Sequence, residues 1–304
     1  MKLSTTKKAV IALIIANTIW GAAPPIFKWA LYDIGPFSLA FYRFLLATLI
    51  TLPFVYKNLS FNPKYLLSII IIGITGVTIN ISFFFFGLEL APSINASIVG
   101  SAGPIILIFS SIFFLHEKFK KKLFYGALVG LLGVLLIILK PLFTNEPNIA
   151  ILGSTLIFIG MLGSIAHTLL AKKIIKKLSP MTITFWTFFF GTVGFIPFFY
   201  EEGLVQGFIP QMSGNVIFGI LFGAVLSSFV AYFLSFWALK YLQAEDVGIF
   251  VYIDPVVTVL IAGPLLGEYP DLLFILGSLF VFGGIFIAEK RIHWHPLHRL
   301  TGRQ

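Results

Sequence analysis

Few side chains in this sequence could do chemistry, and most of them sit within apolar stretches. Asp254 stands directly before Pro255. A proline removes a backbone donor and crowds the carbonyl four residues back, so this carboxylate is expected beside a bent helix. Such a group can bind a proton or a ligand's ammonium; its plainer role is to answer a buried donor and lock the helix. Arg43 could hold a ligand carboxylate bidentately, although tying helices together or reaching to an interface is the commoner use. His167 is the one histidine within an apolar stretch. It could relay protons near neutral pH, and a neutral, hydrogen-bonded imidazole is the plainer alternative. Asn17, Trp20, Pro24 and Lys28 recur at steps of three, four and four, so they share one helical face, a polar stripe expected to look inward. Asn80 follows Gly73 and Gly76 on one face, and Ser228, Tyr232 and Ser235 share another. Hydrogen bonds between helices explain residues of this kind. Tyr252, on the face of Pro255, is the better candidate for a cavity wall. Bends are expected at Pro24, Pro25, Pro104 and Pro255.

Other chemistries lack their parts. The chain has no cysteine, which removes disulfides, thiol catalysis and thiolate metal sites. No HExxH run and no phosphate-cradling GxxxxGK[ST] loop occurs. His167 has no serine elbow nearby, and the carboxylates are not paired as a hydrolytic site needs. No metal and no cofactor is therefore expected. His293, Trp294, His295 and His298 near the end of the chain suit a basic, interfacial tail better than a metal site.

The elements that must position these residues are apolar helices. Of 304 residues, 58% are hydrophobic and 11% charged, against about 25% charged in soluble domains. Ten stretches, near 9–31, 36–56, 65–88, 93–115, 123–143, 150–171, 181–200, 214–239, 246–266 and 271–289, approach or exceed the roughly 20 residues that cross a hydrocarbon core. Helices satisfy their own backbone in lipid and open sheets cannot, so an all-α membrane bundle is expected. The first stretch is too long for a cleavable signal and is taken as a span. Most phenylalanines, including the runs Phe83–Phe86 and Phe188–Phe190, are expected to face lipid.

The net charge of +9 is a topology signal rather than a nucleic-acid footprint. With the amino terminus inside, eighteen of the 21 Lys and Arg fall on the cytoplasmic side, and only Lys140 falls on the other. That asymmetry predicts ten spans with both termini cytoplasmic.

The pattern also occurs twice. Pro36–Pro53 aligns with Pro180–Pro197 at an offset of 144, pairing Phe41, Phe44 and Thr48 with Phe185, Phe188 and Thr192. Beyond a longer loop the offset becomes 151, and Pro104…Glu117 falls on Pro255…Glu268, Gly126 on Gly277 and Gly133 on Gly284. Residues 1–145 and 146–290 thus read as two five-helix repeats, followed by a basic cytoplasmic tail, 291–304. Five is odd, so the second repeat must be inverted, an arrangement found in secondary transporters. Gly126, Gly130, Gly133, Gly277, Gly283 and Gly284 are expected in packing seams. Glu117 and Glu268 end helices where carboxylates are unfavourable, so each should answer an amide or a cation.

These motifs carry a resemblance. Asn17–Lys28 (NTIWGAAPPIFK), Pro36…Arg43-Phe44, Gly103-Pro104…His116-Glu117 and Ile253-Asp254-Pro255-Val256…Gly267-Glu268 resemble the EamA-type transporters of the drug/metabolite transporter superfamily. The likeness runs from about residue 10 to 288. The double proline Pro24-Pro25, and Thr187 where the first repeat has Arg43, depart from it. The resemblance implies a ten-span carrier with a central cavity, exporting a small-molecule substrate such as an amino acid. Coupling to protons and homodimerisation stay open, and an intramembrane enzyme or a passive channel or scaffold is the alternative.

The topology has a direct test. Cysteines placed at Ser60 and Lys120 should resist an impermeant thiol reagent in intact cells, whereas one at Gln206 should react; labelling at Lys120 from outside would refute the orientation.

Overall fold

The computed structural model describes residues 5–58, 63–107, 110, 121–174, 178–208, 212–242 and 249–289. Glu117, the tail 291–304 and its histidines lie outside the described residues. Among those described, the structure is helical and has no strand. Seven helices are long and apolar enough to cross a membrane: α1 Thr5–Leu31, α2 Pro36–Val55, α3 Pro63–Leu90, α5 Phe124–Leu142, α6 Ile149–Ala171, α7 Pro180–Gln206 and α8 Gly214–Tyr241. Three apolar helices are shorter: α4 Ser93–Leu107, α9 Phe250–Leu266 and α10 Leu272–Ile287. Large apolar side chains stay exposed around the outside, among them Leu132, Leu260, Leu279 and Phe286, as a lipid-facing surface requires.

The helix breaks recur at equivalent places. In α3 the backbone widens into a π-helix over Ile74–Ile79, and in α8 over Phe222–Val230. The two segments end 151 positions apart, matching the sequence offset. Likewise α4 is interrupted at Ala102, just before Pro104, and α9 opens with a 3-10 turn, Ile249–Tyr252, before its α-helix starts at Ile253. Pro255 therefore sits in the first turn of an α-helix, where its missing N–H would lack a partner anyway, rather than in a kinked interior. The expected bend at Pro24-Pro25 is not a break. The α1 helix continues through both prolines, because Pro25 can give no hydrogen bond to Gly21 O and Thr258 Oγ1 of α9 donates to that carbonyl instead, at 2.6 Å.

Packing follows the duplication. The main partners are α5 with α10, α3 with α6, α2 with α7, and α1 with α8 and α9. Equivalent residues face one another across α2 and α7: Thr48 and Thr192 hydroxyls are 3.5 Å apart, and the Phe44 and Phe188 rings 5.5 Å. Between α5 and α10 the glycine seam is tight. A Cβ on Gly133 would come within 2.7 Å of Val281 N, and one on Gly284 within 2.8 Å of Gly130 Cα. Gly283 is outside the seam, with open space where a side chain would go. The expectation of lipid-facing phenylalanines also fails in part, since Phe85 and Phe188 are fully buried.

One end of the bundle is cross-linked by carboxylates that reach helix N-termini. Glu202, at the end of α7, accepts from the N–H groups of Phe37 (3.2 Å) and Ser38 (2.6 Å), where Gly35 offers α2 no side-chain cap. Its counterpart α7 uses an ordinary cap, Ser179 Oγ accepting from Thr182 N at 3.0 Å. Gly267, with φ of +69°, ends α9 in the left-handed region. Beyond that turn Glu268 accepts from Ser93 N, Ser93 Oγ and Ile94 N and pairs with Lys28 at 3.2 Å. Lys28 Nζ also donates to Ala91 O, so it is held at this end rather than on the inward stripe. Lys140, 1% exposed, bonds Asp271 and Glu146. Burial alone would raise the Asp271 carboxyl, but Phe274 N–H and Lys140 more than offset that and hold it below the usual carboxylate range.

Two substitutions test this packing. Gly133→Val should cost about 1–3 kcal/mol by overpacking, seen as a lower unfolding midpoint in detergent, while Gly283→Val should leave the midpoint unchanged. Glu268→Ala strips the cap of α4 and leaves Lys28 without its carboxylate, so a loss of about 2–4 kcal/mol is expected in the same measurement.

Candidate functional site

A cavity of about 350 Å³ lies between α1, α3, α4, α6, α8 and α9, with Arg43 of α2 on its wall. That is within the range of small-molecule sites. The structure brings ten of the residues singled out from sequence to this wall: Asn17, Trp20, Pro24, Arg43, Asn80, Pro104, His167, Tyr232, Ser235 and Asp254. Tyr252 does not line it; its ring packs edge-on against Phe282 at 5.9 Å. Pro25 and Pro255 are buried but also off the wall. Tyr252 does share a face with Pro255, three residues on, as side chains so spaced do in a 3-10 turn, but that face is turned off the wall, and Val251 and Asp254, also three apart, are the pair that line it.

The polar wall is built where helices deviate from regularity. Trp20 Nε1 donates to Ser227 O, in the π segment of α8, at 3.0 Å. In the other half, His167 Nδ1 lies 3.0 Å from Ile72 O, just ahead of the π segment of α3. A carbonyl can only accept, so this contact places the proton on Nδ1. A Cβ on Gly76 would collide with the same imidazole, so only glycine admits it there. Asn80 Nδ2 turns back to Gly76 O within its own helix, at 3.3 Å, and makes no bond between helices. Asn17 Nδ2 does the same with Leu13 O at 2.8 Å.

Arg43 is 2% exposed and ties α2 to α8, Nε to Ser228 Oγ at 2.9 Å and Nη2 to Ser227 Oγ at 3.1 Å. The Phe27 and Phe44 rings each stand 4.6 Å from its guanidinium carbon, close enough for cation–π attraction. Asp254 is placed differently. It occupies the first turn of the α-helical part of α9, where a carboxylate suits the helix dipole. Its backbone presses on α1 so closely that a Cβ on Gly21 would lie 2.8 Å from Asp254 O. Asp254 Oδ1 is buried without a partner, and so is Asn17 Oδ1.

The cavity is lopsided along the bundle. On α9 it touches only Val251 and Asp254, near the start of the helix, while on α6 and α8 it runs to Ala171 and Leu239. Toward the carboxylate-linked end it stops at Phe27, whose ring packs against Phe85 at 5.0 Å and Phe222 at 6.0 Å. Beyond that plug lies the Lys28–Glu268 pair. Ser227, Thr258 and Glu202 were not anticipated from sequence. A serine, a threonine and a glutamate near a helix end carry no spacing signal, and each matters only because another helix leaves a backbone group or a charge beside it.

Comparison with known proteins agrees with this architecture. The chain matches the EamA-like transporter family over residues 7–139 and again over 151–289. An uncharacterized transporter of Archaeoglobus fulgidus is 26% identical over 292 residues, covering 94% of this chain and 99% of its own. The uncharacterized transporter YetK of Bacillus subtilis is 27% identical, covering 92% and 86%. One protein crystal structure superposes with a TM-score of 0.64 at 16% identity over 98% of this chain and 99% of its own, a likeness of fold alone. With two matches that together span most of its helices, the chain belongs to the EamA-like transporter family of the drug/metabolite transporter superfamily.

Proposed function

We propose that this protein is a secondary transporter that moves a small polar or amphipathic metabolite, amino acids first among them, out of the cell by alternating access. In this scheme ten spans form two inverted repeats, 1–145 and 146–290, which rock about the central cavity in the cell membrane. The observation that carries the proposal is the cavity itself, walled by the broken helices α3, α4, α8 and α9, with Phe27, Phe85 and Phe222 packed together toward one end. Sites of this kind, at the interface of repeats and built from discontinuous helices, are how such carriers hold a solute between two aqueous faces. The two family matches and the self-facing pairs Thr48/Thr192 and Phe44/Phe188 support the repeat relation. By the charge asymmetry the plugged end is extracellular, and the described conformation faces the cytoplasm.

Coupling to protons centres on Asp254. Arg43 is engaged by two hydroxyls and two rings, His167 by a carbonyl, and Asp254 Oδ1 by nothing among the described residues. A carboxylate without a fixed partner can take a proton when the cavity opens to one face and release it to the other.

Counterflow of radiolabelled metabolites in proteoliposomes tests transport: preloaded unlabelled substrate should drive uptake of the labelled form, and absence of counterflow across a broad metabolite panel would refute the proposal. Asp254→Asn should abolish accumulation driven by a pH gradient yet keep exchange of internal for external substrate when both are supplied at saturating concentration. Full pH-driven accumulation by a folded Asp254→Asn protein would make the residue a helix lock and remove it from coupling.

A further inference from the structure

Two buried oxygens on residues of the cavity wall lack hydrogen-bond donors among the described residues. Asn17 is 1% exposed. With its Nδ2 committed to Leu13 O, its Oδ1 has no partner. Asp254 Oδ1 has none either, and among the described residues no ion pair involves Asp254. The two acceptors belong to helices pressed together beside them: Asn17 stands one turn before Gly21, the residue that meets the Asp254 backbone and accepts from Thr258. Buried acceptors without donors are costly, and more so when charged.

The positive charge on the same wall is already partly engaged. Arg43 gives two of a guanidinium's five N–H donors to Ser227 and Ser228, and Phe27 and Phe44 pack against it. A ligand carboxylate would reach only the N–H groups those contacts leave, whereas a ligand ammonium would displace no partner of Asp254 Oδ1 among the described residues. Next to the acceptors the wall is aromatic. Trp20 and Tyr232 meet edge-on at 5.5 Å, Tyr232 and Phe236 at 6.1 Å, and all three line the cavity. Such a surface accepts an apolar body and attracts a cation through its ring faces.

Resting on the transporter proposal above, we infer that the substrate is a protonated primary amine on an apolar or aromatic body, its ammonium bound by Asp254 and Asn17 Oδ1, and that a substrate carboxylate is dispensable. An ammonium carries three donors and no acceptor, which suits two bare oxygens better than a neutral hydroxyl with one donor. The basic loops would slow a cation's entry from that end, but salt screens exposed charge over about 8 Å, so they act on the approach more than on the site.

The test uses the full-length protein in detergent and three probes of one shape: phenethylamine with the amine alone, phenylalanine with amine and carboxylate, and 3-phenylpropionate with the carboxylate alone. By isothermal titration, phenethylamine should bind within about threefold of phenylalanine, and 3-phenylpropionate at least about tenfold more weakly, as expected when one charge-assisted contact is lost. Asp254→Asn should weaken phenethylamine at least about tenfold, and Asn17→Ala about threefold or more. The unfolding midpoint of each variant is measured alongside. The probe series on the unaltered protein and the Asn17→Ala variant decide the matter should Asp254→Asn not fold. No binding of phenethylamine at millimolar concentration, equal binding of 3-phenylpropionate, or unchanged binding by folded variants would overturn the inference. Binding of phenylalanine alone would overturn it in favour of a zwitterion that also uses Arg43. Each of those results leaves the transporter proposal standing if counterflow occurs, and only the loss of counterflow removes both.

Discussion

A backbone N–H or C=O that loses its partner inside an apolar bundle costs about 1–3 kcal/mol, and no water is at hand to answer it. The architecture of this protein depends on meeting that cost between helices. Pro25 can give no hydrogen bond to Gly21 O, and Thr258 of α9 answers that carbonyl. The π segment of α8 presents Ser227 O to Trp20, and the neighbourhood of the π segment in α3 presents Ile72 O to His167. At the plugged end the N-termini of α2 and α4 are satisfied by Glu202 and Glu268. Each irregularity thus becomes a specific link to another helix. The wall of the cavity is largely made of these links.

Charge follows the same logic with one exception. Lys28 and Lys140 are paired with carboxylates at the end of the bundle, and Arg43 is held by hydroxyls and aromatic rings that solvate its charge without neutralising it. Deleting one member of such a set would strand the other in an apolar setting, so these contacts hold the helices in register. Asp254 alone, among the charged groups on the cavity wall, keeps a bare oxygen. The charges that link helices are therefore distinct from Asp254, whose Oδ1 has no partner among the described residues.

Near-symmetry and its failure both matter to function. The π segments, the interruptions of α4 and α9 and the self-facing residues of α2 and α7 recur in each half. The side chains that serve them differ: an indole in one half and an imidazole in the other, a guanidinium tie to α8 where the second repeat has Thr187. Equivalent scaffolds give the two halves similar ways to bend. The unlike side chains leave the cavity wall different in the two halves.

Much of this was determined by the sequence alone. Apolar runs without charge can only be helices in lipid. The paired prolines Pro104 and Pro255 fall at the interruptions of α4 and α9, and the polar stripe at helical spacing placed Asn17, Trp20 and Pro24 on one inward face. Periodicity gave the shared face but not its direction. Tyr252 lies on the face of Pro255 as its spacing says, but that face packs against Phe282 rather than the cavity. Which charges are answered was decided only in three dimensions. The partners of Arg43, Lys28 and Glu268 lie 63 to 240 residues away in the chain, and a single sequence records the type of a side chain but not the distant backbone group that packing sets beside it.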